Sequence, residues 1–420
     1  MPSQNFINNH LNKLSIISIL LYPLSLIYLM CISIRRLTYK LFPKLTYKSR
    51  IPIISIGNIT TGGTGKTPFV IYLTKQLQQS QPPPAPSNLE GNLESTPTPP
   101  NLEGNYHIKV AIVLRGYKGE LEDTNTLISD YNTVFDIATK AGDEALLYTQ
   151  TLKNTPICVG KDRVKSIKLL EERFPDLDYI IMDDGLQYLK VFQDIKVCVI
   201  NAFNPVGNSL CLPAGILREP ISAIYNHDYI LFNGCSVKQD TILQNKPDKV
   251  VKQDTILQNK TYKSVKQDII LQNKPDKDVK QDTILPNKPI LYGNYKISTI
   301  YDTNNVLYET HHLSNKKILA LSGIGNPLSF ENTLKNAQIS FLEHLSLPDH
   351  FRYTSEFLHA LNRKYEGFDF IITTEKDFMK LKEFEIKVKL LVVAVEFEII
   401  NMDCLIASLL AITKEKIAEG

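Results

Sequence analysis

Three observations make this chain an α/β protein with a largely parallel sheet. Short runs rich in Val and Ile alternate with stretches of helical length, the pattern of strands joined by crossover helices. Residues Ile51–Val70 pass from an apolar run through a Gly- and Thr-rich turn into a second apolar run. Polar repetitive sequence interrupts the alternation twice, at 78–105 and 237–289. The expected organisation is an N-terminal apolar helix with a basic flank (1–44), a larger lobe (45–236) carrying the 78–105 linker, the 237–289 insertion, and a smaller lobe (290–420). Each lobe is expected to be an α/β/α sandwich.

Leu14–Ile34 holds no charged residue, with Lys13 before it and Arg35, Arg36, Lys40 and Lys44 after it. At ~1.5 Å per residue such a helix reaches roughly 31 Å, the thickness of a bilayer's hydrocarbon. It can span, lie in the interface through its basic flank, or serve as a buried core helix. A removable signal peptide conflicts with a phosphate site needing cytosolic ATP. The basic flank places the remainder in the cytoplasm, against membrane lipid.

The net charge of +3 is too small to argue for nucleic acid. Six cysteines (Cys31, Cys158, Cys198, Cys211, Cys235, Cys404) lack CxxC spacing and sit mostly in apolar runs, as reduced thiols do.

Ile51–Ile56 reads as a buried parallel strand. The turn Thr60, Thr61, Gly62, Gly63, Thr64, Gly65 leads to Lys66 and Thr67 and into a helix. A helix N-terminus after a glycine loop offers amides and a favourable dipole to phosphate. Lys66 would reach the β/γ-phosphates and the Thr67 hydroxyl would hold Mg²⁺. The strict pattern has Gly where Thr60 stands. A plain Gly-rich turn is the bland reading, and the flanking strand and helix argue against it.

Farther on, Gln78–Asn105 is Pro-rich with two NLEGN copies, a surface linker. Strands are expected at Lys109–Gly116, Ile157–Gly160, Asp178–Asp184, Ile195–Asn201 and Tyr229–Asn233. Helices are expected from Ala141 to about Leu152 and from Lys161 to about Arg173. VKQD-like units start at Val237, Val251, Val265 and Val279, fourteen residues apart. They are too short and polar for a solenoid, so Val237–Pro289 is expected to be a looped-out insertion. Strands then follow near Leu291–Ile300, Lys317–Gly325, Asp369–Thr374 and Lys389–Phe397. Helices follow from about Ser329, over Thr354–Tyr365, and over Asn401–Lys414 to close the second lobe.

Asp183 and Asp184 end a strand, where a phosphate-loop enzyme keeps its Mg²⁺-ordering carboxylate. A solvated turn is the competing reading. Asp143 and Glu144 open a helix and can equally be caps. Arg115, Arg163 and Arg218 lie on loops after strands or at helix starts, where phosphate ligands belong. His350 alone is a surface or core histidine as readily as a functional one.

The segments GNITTGGTGKTP, LRGYKG, GDEALL, KDRV, DDGLQY, LPAGILREP, SGIGNP, LPDHF and TTEKD occur in this order. As a set they resemble the tetraacyldisaccharide 4'-kinase (lipid A 4'-kinase) family, from the apolar N-terminus to about Asp377. The resemblance implies transfer of the γ-phosphate of ATP to the 4'-hydroxyl of an acylated glucosamine disaccharide 1-phosphate, at the cytoplasmic face of a bacterial inner membrane. By the same resemblance Asp143 is the catalytic base and His350 its partner. Lys66 and Thr67 hold ATP and Mg²⁺, and Asp183 and Asp184 order the metal. Glu144, Arg163, Gln187, Arg218 and Glu219 surround the nucleotide and phosphates. GDEA replaces the commoner GDEP, and DDGLQY the commoner DDGLQH. No obligate protein partner is indicated.

Two rivals belong to other classes. A partition or positioning ATPase also uses GGxGKT, but carries a Lys before the glycine pair where Thr61 stands here. A scaffold acting through its repeat would not need Lys66, Thr67 and Asp183 intact.

Overall fold

The computed structural model describes residues 14–80, 107–117, 119–234, 288–348 and 351–419, with side chains described to residue 412. The repeat, the NLEGN copies, Cys235 and His350 lie outside the described residues.

In chain order the elements are α1 (Ile16–Leu41), β1 (Ile53–Gly57), α2 (Lys66–Gln79), β2 (Val110–Leu114), β3 (Thr126–Ser129), α3 (Asp143–Thr151), β4 (Ile157–Val159), α4 (Arg163–Arg173), β5 (Tyr179–Asp183), β6 (Ile195–Asn201), β7 (Tyr229–Asn233), β8 (Ile290–Asp302), β9 (Ile318–Ser322), α5 (Pro327–Asn336), β10 (Glu343–Ser346), α6 (Ser355–Lys364), β11 (Phe370–Thr374), α7 (Glu375–Leu381), β12 (Lys389–Ile400) and α8 (Met402–Glu419). The short strands β3 and β10 and helix α7 are not among the expected elements. Gln78 and Gln79 are helical, so the linker begins later than composition implied.

Among the described residues twelve strands form one sheet, ordered β10-β9-β11-β12-β8-β7-β6-β1-β5-β2-β4-β3. Only β8–β12 and β3–β4 pair antiparallel. Strands β1, β2, β5 and β7 are buried along their whole length. That is why they read as unbroken apolar runs rather than alternating ones. Ile54, Ile56, Val110 and Ile181 face α2 and α3, while Ile53, Ala111, Val113 and Ile180 face α4. Beyond β8, separate cores form around Ile318 and Ile372 on one face and Leu319 and Ile371 on the other.

The β8–β12 ribbon decides where a site can lie. β7 ends at Asn233 beside Gly293, and β8 runs on past that edge. β12 is antiparallel to β8 and parallel to β11, whose end Thr374 lies beside Val393. Strands of the two halves therefore run towards each other, carboxyl edge facing carboxyl edge. Gly293 pairs with Ile399, and Ile300 with Val393. Seven residues of ribbon, roughly 23 Å at strand rise, separate the edges.

The closing helix corrects one expectation. Leu405 and Leu409 of α8 pack into the first half's core, and Tyr179 Oη donates to the Leu409 carbonyl at 2.6 Å. The chain thus returns across the ribbon to the half it began in.

Candidate active site

The phosphate loop leaves the carboxyl end of β1, and Asp183 ends the neighbouring strand β5, in register with Ile56. Parallel pairing alone places loop and carboxylate at the same edge. Gly65 has φ +87, and a Cβ there would sit 2.0 Å from Asn233 Nδ2, so both backbone and space demand glycine. Gly62 has φ +102 with open space around it, whereas Gly63 has neither constraint.

Asn233 Nδ2 donates to the Thr64 carbonyl at 2.9 Å, and Asn58 Nδ2 to Thr64 Oγ1 at 3.1 Å. Tyr295 on β8 hydrogen-bonds Asn233, and burial pushes its phenol up to about 12. On the other flank Thr61 N donates to the Ile216 carbonyl at 2.8 Å and Arg218 N to the Ile59 carbonyl at 2.7 Å. Thr60 bridges Leu217 as a short antiparallel pair. The segment that carries Arg218 and Glu219 is thereby stitched to the phosphate loop.

Charges converge in front of this loop. Lys66 Nζ lies 3.4 Å from Asp184 Oδ1, and Arg218 Nη1 contacts both Asp184 oxygens at 3.0 and 2.9 Å. Burial raises the Asp184 pKa, but Lys66 and Arg218 outweigh it and hold the carboxyl below its usual value. Asp183 is buried, and burial raises its pKa against the pull of Lys66. Its Oδ2 accepts from Tyr148 Oη at 2.7 Å and its Oδ1 from the Asp184 amide at 2.8 Å. Tyr148 also hydrogen-bonds Thr67.

Gly142, at φ +95, turns the chain into α3, so Asp143 and Glu144 stand at its first turn. Glu144 keeps an exposed edge, yet surrounding protein and the neighbouring Asp183 push its carboxyl up to about 7, with Lys66 opposing. Arg163 is buried, donates to the Gly160 carbonyl at 2.6 Å, and has its Nη2 3.5 Å from the Asp183 carbonyl. Gln187 Nε2 donates to the Asn58 carbonyl at 2.9 Å. Glu219 is buried and pairs with Arg36 at 2.8 Å. Arg115 instead pairs with Glu122.

Seven described side chains carry a buried polar atom without a partner. Five of them (Ser55, Asn58, Arg163, Glu219, Asn233) belong to the loop, to strands beside it or to residues bonded around it. An unpaired buried polar atom costs ~1–3 kcal/mol, so the polar side chains packed around the loop are a concentrated demand for hydrogen-bond partners.

Sequence inspection named the loop, the acidic pair and the arginines, but missed Tyr148, Asn58, Asn233 and Tyr295. Tyr148 was findable: it stands four residues after Glu144 and so shares its helix face. Asn233 and Tyr295 gave no local signal, since only strand pairing brings them to Gly65.

The family model described as tetraacyldisaccharide-1-P 4'-kinase matches residues 17–85 and 103–414. The chain is 31% identical over 385 residues to the tetraacyldisaccharide 4'-kinase of Francisella tularensis subsp. novicida, covering 89% of this chain and 92% of that one. The same figures hold for the enzyme of F. tularensis subsp. tularensis strain WY96-3418. A crystal structure of LpxK from Aquifex aeolicus in complex with ATP is similar in fold, with a TM-score of 0.58 and 23% identity over 96% of this chain and 99% of that one.

Proposed function

The chain belongs to the tetraacyldisaccharide-1-P 4'-kinase family, and we propose that it transfers the γ-phosphate of ATP to the 4'-hydroxyl of an acylated glucosamine disaccharide 1-phosphate in lipid A biosynthesis. The observation that carries this reading is the convergence of Lys66, Arg218 and the Asp183–Asp184 pair in front of a glycine-fitted phosphate loop. The partition ATPase reading lacks its signature Lys, and the family match does not favour it.

The phosphate loop, Thr60–Thr67, cradles the nucleotide phosphates with its amides, and Lys66 meets the β/γ-phosphates. Arg163 and Arg218 add positive charge where negative charge is handled in transfer. Thr67, Asp183 and Asp184 form a hard oxygen donor set that suits Mg²⁺, which when bound neutralises charge on the β and γ oxygens.

Asp143 takes the proton of the 4'-hydroxyl as its oxygen attacks the γ-phosphorus, and ADP leaves. A role for His350 beside Asp143 rests on the family resemblance alone. The facing carboxyl edges suit a nucleotide on one half and an acceptor reaching in from the other, with two lobes closing on them.

The apolar face of α1 suits membrane association, with the site on the cytoplasmic side. The 18-residue window of highest hydropathy in α1 is only 11% buried, so the core-helix reading does not hold.

Radiolabelled ATP tests the reading. Label should move to the lipid acceptor; release of free phosphate alone would point to an ATPase instead.

A further inference from the structure

Helix α1 turns a polar stripe towards the catalytic half, and each residue of that stripe is bonded. Ser18 Oγ accepts from Asn208 Nδ2 at 3.2 Å. Ser25 Oγ donates to the Cys211 carbonyl at 2.8 Å and accepts from the Ala214 amide at 3.1 Å. Tyr28 Oη donates to the Arg218 carbonyl at 3.0 Å, and Arg35 Nη2 to the Gln187 carbonyl at 3.1 Å. Arg36 Nη2 meets Glu219 Oε1 at 2.8 Å. These contacts extend over roughly 27 Å of helix axis. The partners of these bonds lie at Gln187 and in the 208–219 segment.

That segment is held on its other side by the phosphate loop, through the Thr61–Ile216 and Ile59–Arg218 bonds. Its Arg218 side chain grips Asp184. The outer side of α1 exposes Ile19, Leu20, Leu24, Ile27, Met30 and Ile34. A simple anchor would need only that outer side. Glu219 is buried, and withdrawing Arg36 would remove its salt bridge and leave only the Gln187 hydrogen bond and the more distant Arg35 charge, a loss that buried charges tolerate poorly.

We propose that Tyr28 and Arg36 are positioning residues. They hold Ile216–Glu219 against the phosphate loop and so fix Arg218 on Asp184. The lipid-facing helix and the phosphate-transfer geometry then form one mechanical unit. This rests on the kinase reading above.

The test uses the full chain on phosphatidylglycerol–phosphatidylethanolamine vesicles carrying the disaccharide 1-phosphate. Tyr28→Phe removes one oxygen, Arg36→Gln removes the charge, and Arg36→Lys restores it. Arg36→Gln should lower kcat about ten- to a hundredfold, since small displacements of catalytic groups have effects of that size. Tyr28→Phe should lower it less, and Arg36→Lys should recover part. Vesicle co-sedimentation and KM for the lipid should stay as in the parent protein. Hydrogen exchange at the 214–219 amides should rise in Arg36→Gln and Tyr28→Phe, a readout that does not depend on catalysis. Unchanged exchange in both variants overturns the proposal, as does unchanged kcat in both. A parent protein without transfer activity counts against the kinase reading, while the exchange result still decides the clasp. If Arg36→Gln does not fold, Tyr28→Phe carries the test alone.

Discussion

Lys66 and Asp143 are expected to fail differently. Lys66→Ala should weaken stabilisation of the nucleotide phosphates, because its ammonium sits beside Asp184 in front of the loop. Asp143→Ala should leave ATP binding close to normal and lower turnover by about 10²–10⁴, the range of general-base catalysis. Titration calorimetry with ATP and turnover at saturating ATP separate the two. His227 offers a pH test away from the site. Burial, with Arg36, Lys196 and Lys288 assisting, pushes its pKa down from 6.5 to about 4. The fold therefore favours the neutral ring. Its contribution is intact above pH ~6.5 and declines as pH falls from ~6.5 towards ~4. Between pH 7 and pH 5 that loss is about 2 kcal/mol by linkage. Urea unfolding at both pH values should show it in the parent protein and not in His227→Gln. At this scale charged loop residues were legible because their chemistry is local. Tyr148 and Asn233 were obscure because their roles come from partners distant in sequence.

Buried parallel strands announce themselves as β-branched runs, so β1, β5, β6 and β7 were readable to within about two residues. Strand β3 pairs only at the sheet's edge and is half-buried, which left no such run. Length and apolarity made α1 visible, but not what its inner side does. Ser25 and Tyr28 look like blemishes in an apolar stretch until their partners are seen. The phosphate loop supplies the sharpest element-level prediction. Gly65→Ala must accept φ +87 and a Cβ against Asn233, so the loop should shift. An αL conformation costs a non-Gly residue ~1–2 kcal/mol before any clash. Differential scanning should show a lower Tm, with ATP affinity reduced. Gly63→Ala, which meets neither obstacle, should melt like the parent protein.

The reversal of strand direction at the β8–β12 ribbon was invisible in the sequence. Two apolar runs do not say which way they pair, and α8 likewise gave no sign that it returns to the first half. The ribbon sets a constraint on the insertion. β7 and β8 are neighbouring parallel strands, so Gly234 and Lys288 lie at opposite edges of the sheet and a crossover has to join them. Such a crossover needs about a dozen residues. Replacing 237–287 with a Gly/Ser linker of ~15 residues should preserve folding and activity, because loop entropy changes slowly with length. A two-residue turn there should abolish folding, which circular dichroism would show. If the facing edges bring ATP to a sugar hydroxyl, the acceptor itself gains the phosphoryl group. The most direct test is mass spectrometry of the acceptor after incubation with ATP, Mg²⁺ and the purified chain, beside a 4'-deoxy acceptor. We predict gain of one phosphoryl group on the disaccharide 1-phosphate and none on the deoxy analogue. Equal gain on both, or none on either while ATP is consumed, would rule out transfer to the 4'-hydroxyl.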